Sequence, residues 1–152
     1  MDFELPELDR KATQRAVESA LAKYRLYSFL TAEEKEASIT ASYDDVGGGR
    51  ANTISDQTGD IAIKNVDDAA YRKKFCERVI RSVNKMPKME RFLIEERYLS
   101  READYITDAH VYSFKFQPPI AHTTYAKLRW KAFYKLALDL NIAVTKSQNE
   151  SG

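Results

Sequence analysis

The stretch Ala109–Leu138, AHVYSFKFQPPIAHTTYAKLRWKAFYKLAL, constrains this chain most. It carries Lys115, Lys127, Arg129, Lys131 and Lys135 and contains no Asp or Glu. Both histidines of the chain, His110 and His122, also lie in it. Gln117-Pro118-Pro119-Ile120 predicts a break between two helices. Pro inside a helix removes a hydrogen bond and clashes with the preceding turn, whereas Pro in a first turn is tolerated. Beyond the break, Tyr125, Leu128, Ala132, Leu136 and Leu140 recur at spacings of three and four, one apolar stripe on a helix. Lys127, Arg129, Lys131 and Lys135 fall mostly off that stripe. A short helix, a turn and a longer basic amphipathic helix form the outline of a helix-turn-helix DNA reader.

The chain has 152 residues, enough for one domain or two very small ones. Its net charge of +1 hides an asymmetry: residues 1–66 sum to −4 and residues 67–152 to +5. A basic half points to a polyanionic partner, most often nucleic acid, against the plainer reading of an unevenly charged solvated surface. No apolar run approaches the ~20 residues that span a bilayer, so no membrane partner is expected. The N-terminal MDFELPELDRK is acidic and lacks the apolar core of a secretory signal. Cys76 is the single cysteine and has no internal disulfide partner. A cytoplasmic location is expected.

The rest of the chain reads as helices. Asp9 to Leu30 keeps a helical period through Ala12, Ala16, Leu21 (or Ala20) and Tyr24, with Asp9 as a cap. Its end, Tyr24 to Leu30, is apolar nearly all round and predicts burial, in this chain's core or against a second copy. Thr31-Ala32-Glu33-Glu34 has capping-box spacing and predicts a new short helix or turn. Asp44 to Asn52, with Gly47-Gly48-Gly49, predicts a loop. Ser55 to Ile63 is a further candidate helix weakened by Gly59. Asp67 to Met86 predicts a helix with Ala70, Phe75 (or Lys74), Val79 and Val83 on one face, joined by Cys76 and Ile80, and Asp67 and Asp68 at its start. Pro87 to Leu99 predicts the next, and Asp104 or Thr107 caps the first helix of the basic stretch. The fold expected is all-α, a helical bundle closing on a helix-turn-helix. Residues 1–54 form an N-terminal helical segment with the Gly-rich loop, residues 55–144 the DNA-binding domain, and residues 145–152 a polar, frayed tail.

Chemistry finds little footing. Gly47-Gly48-Gly49-Arg50 lacks the Gly-Lys-Ser/Thr ending of a phosphate-binding loop. His110 and His122 straddle the prolines with no Cys or carboxylate at ligand spacing, so no metal is expected. Glu95-Glu96 and the other acids form no isolated pair on an apolar face. No catalytic residue, no cofactor and no enzyme activity are expected. Trp130 and Tyr134 read as packing residues ahead of base-stacking platforms.

Two segments carry a resemblance. Arg91-Phe92-Leu93-Ile94-Glu95-Glu96-Arg97-Tyr98-Leu99, followed by a two-helix unit ending Lys131-Ala132-Phe133-Tyr134-Lys135-Leu136-Ala137, resembles region 4 of sigma factors. Together with Lys23-Tyr24, the segment Ile39 to Tyr43 and the final helix Tyr125 to Ile142, the chain is similar to the ArpU-like phage regulators, which control late packaging and lysis genes in phages of Gram-positive bacteria. RinA-type late activators are similar too. The bulky Phe114-Lys115-Phe116 and the two prolines depart from the usual tight turn.

The resemblance implies a sequence-specific transcriptional regulator of double-stranded DNA, acting in the bacterial host's cytoplasm; a homodimer on DNA is expected because one short recognition helix reads few base pairs and two half-sites supply the remainder. Its recognition helix would cover residues 119–140 or so. The N-terminal part of such a helix reads bases, which singles out His122, Thr123, Thr124 and Lys127. Lys115, Arg129, Lys131 and Lys135 would contact phosphates, which position a protein without reading sequence. The alternative is a sigma-like module that docks on host RNA polymerase or another regulator without reading DNA. The acid-free helix favours DNA, and the acidic N-terminal half with its apolar helix end suits a protein partner.

Overall fold

The computed structural model describes residues 7–44 and 56–146, with side chains described at 7–32 and 68–146. Its regular structure is helical, and among the described residues the sole β feature is an isolated antiparallel bridge between Leu8 and Thr145. We number the α-helices α1 (Arg10–Asp44), α2 (Asp56–Asn84), α3 (Lys88–Ile94), α4 (Asp108–His110) and α5 (His122–Asp139). α3 runs on into a π turn, Glu95–Leu99, and α4 into another, Val111–Lys115. A 3₁₀ turn, Ala103–Tyr105, joins the two. The all-α expectation is met.

Several boundaries differ from those expected. α1 passes straight through Thr31 to Asp44. A capping box forms only where the backbone leaves helical geometry, and no Gly or Pro between Arg10 and Asp44 makes it do so. Thr31 Oγ1 accordingly has no hydrogen-bond partner among the described residues. α2 likewise absorbs Gly59 and starts eleven residues before Asp67, so Asp67 and Asp68 are interior to it. One Gly costs a helix about 1 kcal/mol, too little to stop it against the packing of a long element. The Gly-rich loop and the expected boundary at 54/55 lie at residues 45–55, outside the described residues.

The chain divides into two compact units: residues 1–25 with 78–152, and residues 26–77. In the second, Tyr27 packs edge-on against Tyr71 at 6.1 Å and Phe75 at 5.6 Å between ring centroids. Leu26 and Phe29 stand 56% and 66% exposed. The expected burial of this helix end is thus divided: Tyr27 packs inside the unit, whereas Leu26 and Phe29 are exposed among the described residues.

In the first unit α1, α2, α3, α5 and the π turn after α4 feed the core. Val17 and Leu21 of α1, Val79 and Val83 of α2, and Leu93 and Ile94 of α3 are buried with Val111, Ala132, Phe133 and Leu136. Full burial of a Leu, Val or Phe side chain is worth about 1.5–3 kcal/mol. The buried face of α1 is Thr13, Val17 and Leu21, one position on from the Ala12–Ala16 row that the sequence suggested. The larger side chains take the interior, and the Thr13 hydroxyl is satisfied there: it donates to the Val144 carbonyl and accepts from the Val144 N–H, both at 3.2 Å.

The two ends of this unit are tied together. Asp9 N–H donates to Val144 O at 2.8 Å, Lys146 N–H donates to Glu7 O at 3.2 Å, and the Lys146 ammonium meets Glu7 at 2.8 Å. That pairing, with its hydrogen bond first, lowers the Glu7 carboxyl below its ordinary value. The predicted frayed tail thus begins as a pinned segment. α5 reaches it through a C-terminal cap in which Asn141 takes φ 60°. Ile142 N–H donates to Ala137 O and Asn141 N–H to Leu138 O, the two bonds of a Schellman motif. Asn tolerates this left-handed conformation better than most residues do.

Candidate nucleic-acid interface

α4 and α5 form a two-helix unit, separated by residues 116–121. The Thr107 side chain caps α4 by accepting from the His110 N–H at 3.1 Å. The first residue of α4, Asp108, then gathers donors from two other elements. Its Oδ1 accepts from Arg97 Nε at 3.0 Å and from the Tyr125 hydroxyl at 2.6 Å. Its Oδ2 accepts from an Arg129 terminal nitrogen at 2.9 Å. Arg97 also donates to the Ala103 carbonyl at 3.1 Å. One carboxylate thereby holds α5 against α4 and the end of α3. Burial, then the hydrogen bond to Asp108, raises the Tyr125 phenol well above its ordinary value. Burial also pushes Tyr98 up to about 12. The Tyr98 ring packs on Phe133 at 5.3 Å between centroids, which fixes the same junction from its apolar side.

Beyond that locked side, the first turns of α5 leave most of their side chains exposed. Tyr125 is buried, while His122, Thr123, Thr124, Ala126 and Lys127 are all exposed. Ala121 supplies no capping side chain, and the first turn carries no acid. The four expected base-reading residues therefore share one exposed end of one helix.

The four expected phosphate residues divide. Lys131 is exposed and, like Lys127, forms no ion pair among the described residues. Arg129 is spoken for by Asp108, and its side chain is 25% exposed. Lys135 binds Glu90 at 2.8 Å, where Glu90 is itself buried on the first turn of α3. Lys115 stands 3.9 Å from Glu96, a loose contact. Three of the four expected cations thus face carboxylates of their own chain.

Sequence reasoning missed those carboxylates. Asp108 had a signal: it is the last acid before the acid-free stretch, beside the Thr107 cap. Glu90 had none, because a Glu in a helix first turn normally faces solvent. Among the described residues no group of three or more His, Cys, Asp and Glu stands close enough to hold a metal ion. Burial raises the Cys76 thiol above its ordinary value, which disfavours the reactive thiolate. Among those residues no helix is long and apolar enough to cross a membrane.

The chain is similar to an uncharacterized phage-related protein of Listeria innocua. The two are 27% identical over 144 residues, which cover 95% of this chain and 97% of the relative. No family model matches the chain, and no solved structure matches it.

Proposed function

We propose that this phage-related chain is a sequence-specific regulator of transcription that binds double-stranded DNA. In this reading it is an activator of phage late packaging and lysis genes of the ArpU-like kind, and its α4–α5 unit is a sigma region 4-like helix-turn-helix. The observation that carries the reading is the split character of α5. One face is anchored by Tyr125, Arg129, Phe133 and Leu136; the other exposes Thr123, Thr124 and Lys127, and His122, in line with the anchored face, is exposed as the first residue of the helix. A recognition helix needs that division, because bases are read by side chains on a helix whose orientation is fixed by its scaffold. Lys127 suits a guanine edge, and Thr123 and Thr124 suit hydrogen bonds or a thymine methyl. Lys131 takes a phosphate, and Lys115 and Lys135 join it by exchanging a carboxylate for one. Two copies reading two half-sites supply the base pairs that one short helix leaves unread.

The test is a gel shift of the full chain with DNA from upstream of the phage late genes, competed with random DNA. Retention of the shift against excess random DNA supports the reading. Equal competition by both removes sequence-specific recognition.

A second reading has its own observation. Three internally paired cations and the exposed Leu26 and Phe29 suit a module that docks on host RNA polymerase or another regulator. It predicts capture of purified polymerase with no shift of any duplex.

A further inference from the structure

Beside α5 lies an open cleft of about 680 Å³ built from the two tied ends of the first unit. Arg10 and Lys11 of α1 line one wall, and Trp130 and Tyr134 of α5 line the other. The Arg10 guanidinium sits 4.7 Å above the Trp130 ring. Trp130 and Tyr134 pack edge-on at 6.1 Å. The acids at this cleft are already engaged: Glu7 pairs with Lys146, and Asp9 accepts the Ala12 N–H at 3.0 Å. Arg10 and Lys11 are exposed and meet no carboxylate among the described residues. With Glu7 and Lys146 offsetting each other, Arg10 and Lys11 outweigh the capping carboxylate of Asp9, and the charge left to act on a ligand is positive by one.

The cleft is also continuous with the face discussed above. Lys127, Lys131 and Tyr134 stand at i, i+4 and i+7 on α5, so they form one row. From Thr123 to Tyr134 that row runs about 16 Å along the helix. It begins at the expected base-reading turn and ends at the wall of the cleft, where Arg10 and Lys11 extend it onto α1. The acidic N-terminal half thus contributes a basic turn where it borders α5.

We infer that Arg10 and Lys11, with the Trp130–Tyr134 wall, form a second contact for the sugar-phosphate backbone of duplex DNA, outside the base pairs read by α5. The inference rests on the DNA-binding reading. Arg10 is held in place by the indole face, so a phosphate meets an ordered guanidinium, and Arg suits the bidentate geometry of phosphate oxygens. Lys11 adds a point charge beside it. Such contacts carry no sequence information. They lengthen the footprint and steepen the dependence on salt.

Trp130 is the single tryptophan of the chain, so its emission reports on this cleft alone. The experiment titrates the full chain with random-sequence duplexes of about 30 and about 10 base pairs, the shorter being near one half-site. Binding is followed by anisotropy and by Trp130 emission over a range of salt. The longer duplex is expected to change Trp130 emission and the shorter to leave it nearly unchanged. Arg10→Gln with Lys11→Gln should lower the slope of log affinity against log salt by about two, and Lys11→Gln alone by about one. Lys11 is exposed, so its substitution should leave the fold intact and keeps the test open if the double variant unfolds. If the wild type binds the long duplex and Lys11→Gln keeps its slope, the second contact is wrong and the α5 reading survives. If the wild type binds no duplex even at low salt, both fall. If Trp130 responds to polyglutamate and not to the long duplex, the cleft takes an acidic protein segment and the inference is overturned.

Discussion

Replacing Asp108 with Asn keeps the size of the side chain and removes the charge that Arg97, Tyr125 and Arg129 share. One amide oxygen remains to accept, while the new NH₂ group points a donor at another donor. The Asp108 side chain is 35% exposed, and those of Arg97 and Arg129 are 23% and 25% exposed. A hydrogen bond to a charged group contributes about 1.5–3 kcal/mol when well buried, and an exposed pair about 0–1. Two partly screened pairs at about 1 kcal/mol each and a short phenol–carboxylate bond at about 1.5 sum to roughly 2–4 kcal/mol after rounding. That is a large part of a margin of about 5–15 kcal/mol. In urea, with a slope of about 2 kcal/mol/M, the unfolding midpoint should fall by about 1–2 M at unchanged slope. Circular dichroism of the two proteins across a urea series measures it. A double-mutant cycle with Arg129→Ala should give a coupling of about 0.5–3 kcal/mol. A stability within about 0.5 kcal/mol of wild type, or no coupling, would refute Asp108 as the residue that holds α5 in place.

Other substitutions separate the roles on α5. Leu136→Ala should cost about 2–5 kcal/mol, seen as a lower melting temperature, because Leu136 is fully buried. Lys131→Ala should lower the salt slope of DNA binding by about one and leave melting unchanged, whereas Arg129→Ala should destabilise the fold, since its charge serves Asp108. Alkali should unfold the chain through its buried tyrosines. A phenol raised in the fold contributes stability that is whole below its ordinary value of 10 and is lost as pH rises through about 12 for Tyr98. The loss amounts to roughly 2–3 kcal/mol, and Tyr98→Phe should flatten that limb of a pH–melting curve. If Leu26 and Phe29 form a dimer contact, Phe29→Asp should turn a dimeric light-scattering mass into a monomeric one and weaken DNA binding. A wild type that is monomeric both free and on DNA refutes the dimer.

The helix-rich class was readable because Val79, Val83, Leu93, Tyr125, Ala132 and Leu136 repeat at helical spacing, and their burial follows from that repeat. The exposed set on α5 was readable for the same reason, since residues off an apolar stripe face outward. The unreadable parts depend on contacts between residues far apart in sequence. Nothing local to Lys135 reveals that Glu90, 45 residues earlier, comes within 2.8 Å of it. Thr13 looks like a neutral helix residue until Val144 is brought to its hydroxyl. The uninterrupted lengths of α1 and α2 were obscured by signals that are strong only when the surrounding chain agrees with them, a capping pattern at Thr31 and a glycine at Gly59.

The central claim is that the exposed end of α5 reads bases. It is tested most directly by measuring three quantities on His122→Ala and Thr123→Ala: melting temperature, affinity for the selected late-gene DNA, and affinity for random DNA. The account predicts an unchanged melting temperature, a loss of roughly 1–3 kcal/mol on the selected DNA, and nearly wild-type binding to random DNA. Wild-type affinity for the selected DNA in both variants would contradict it.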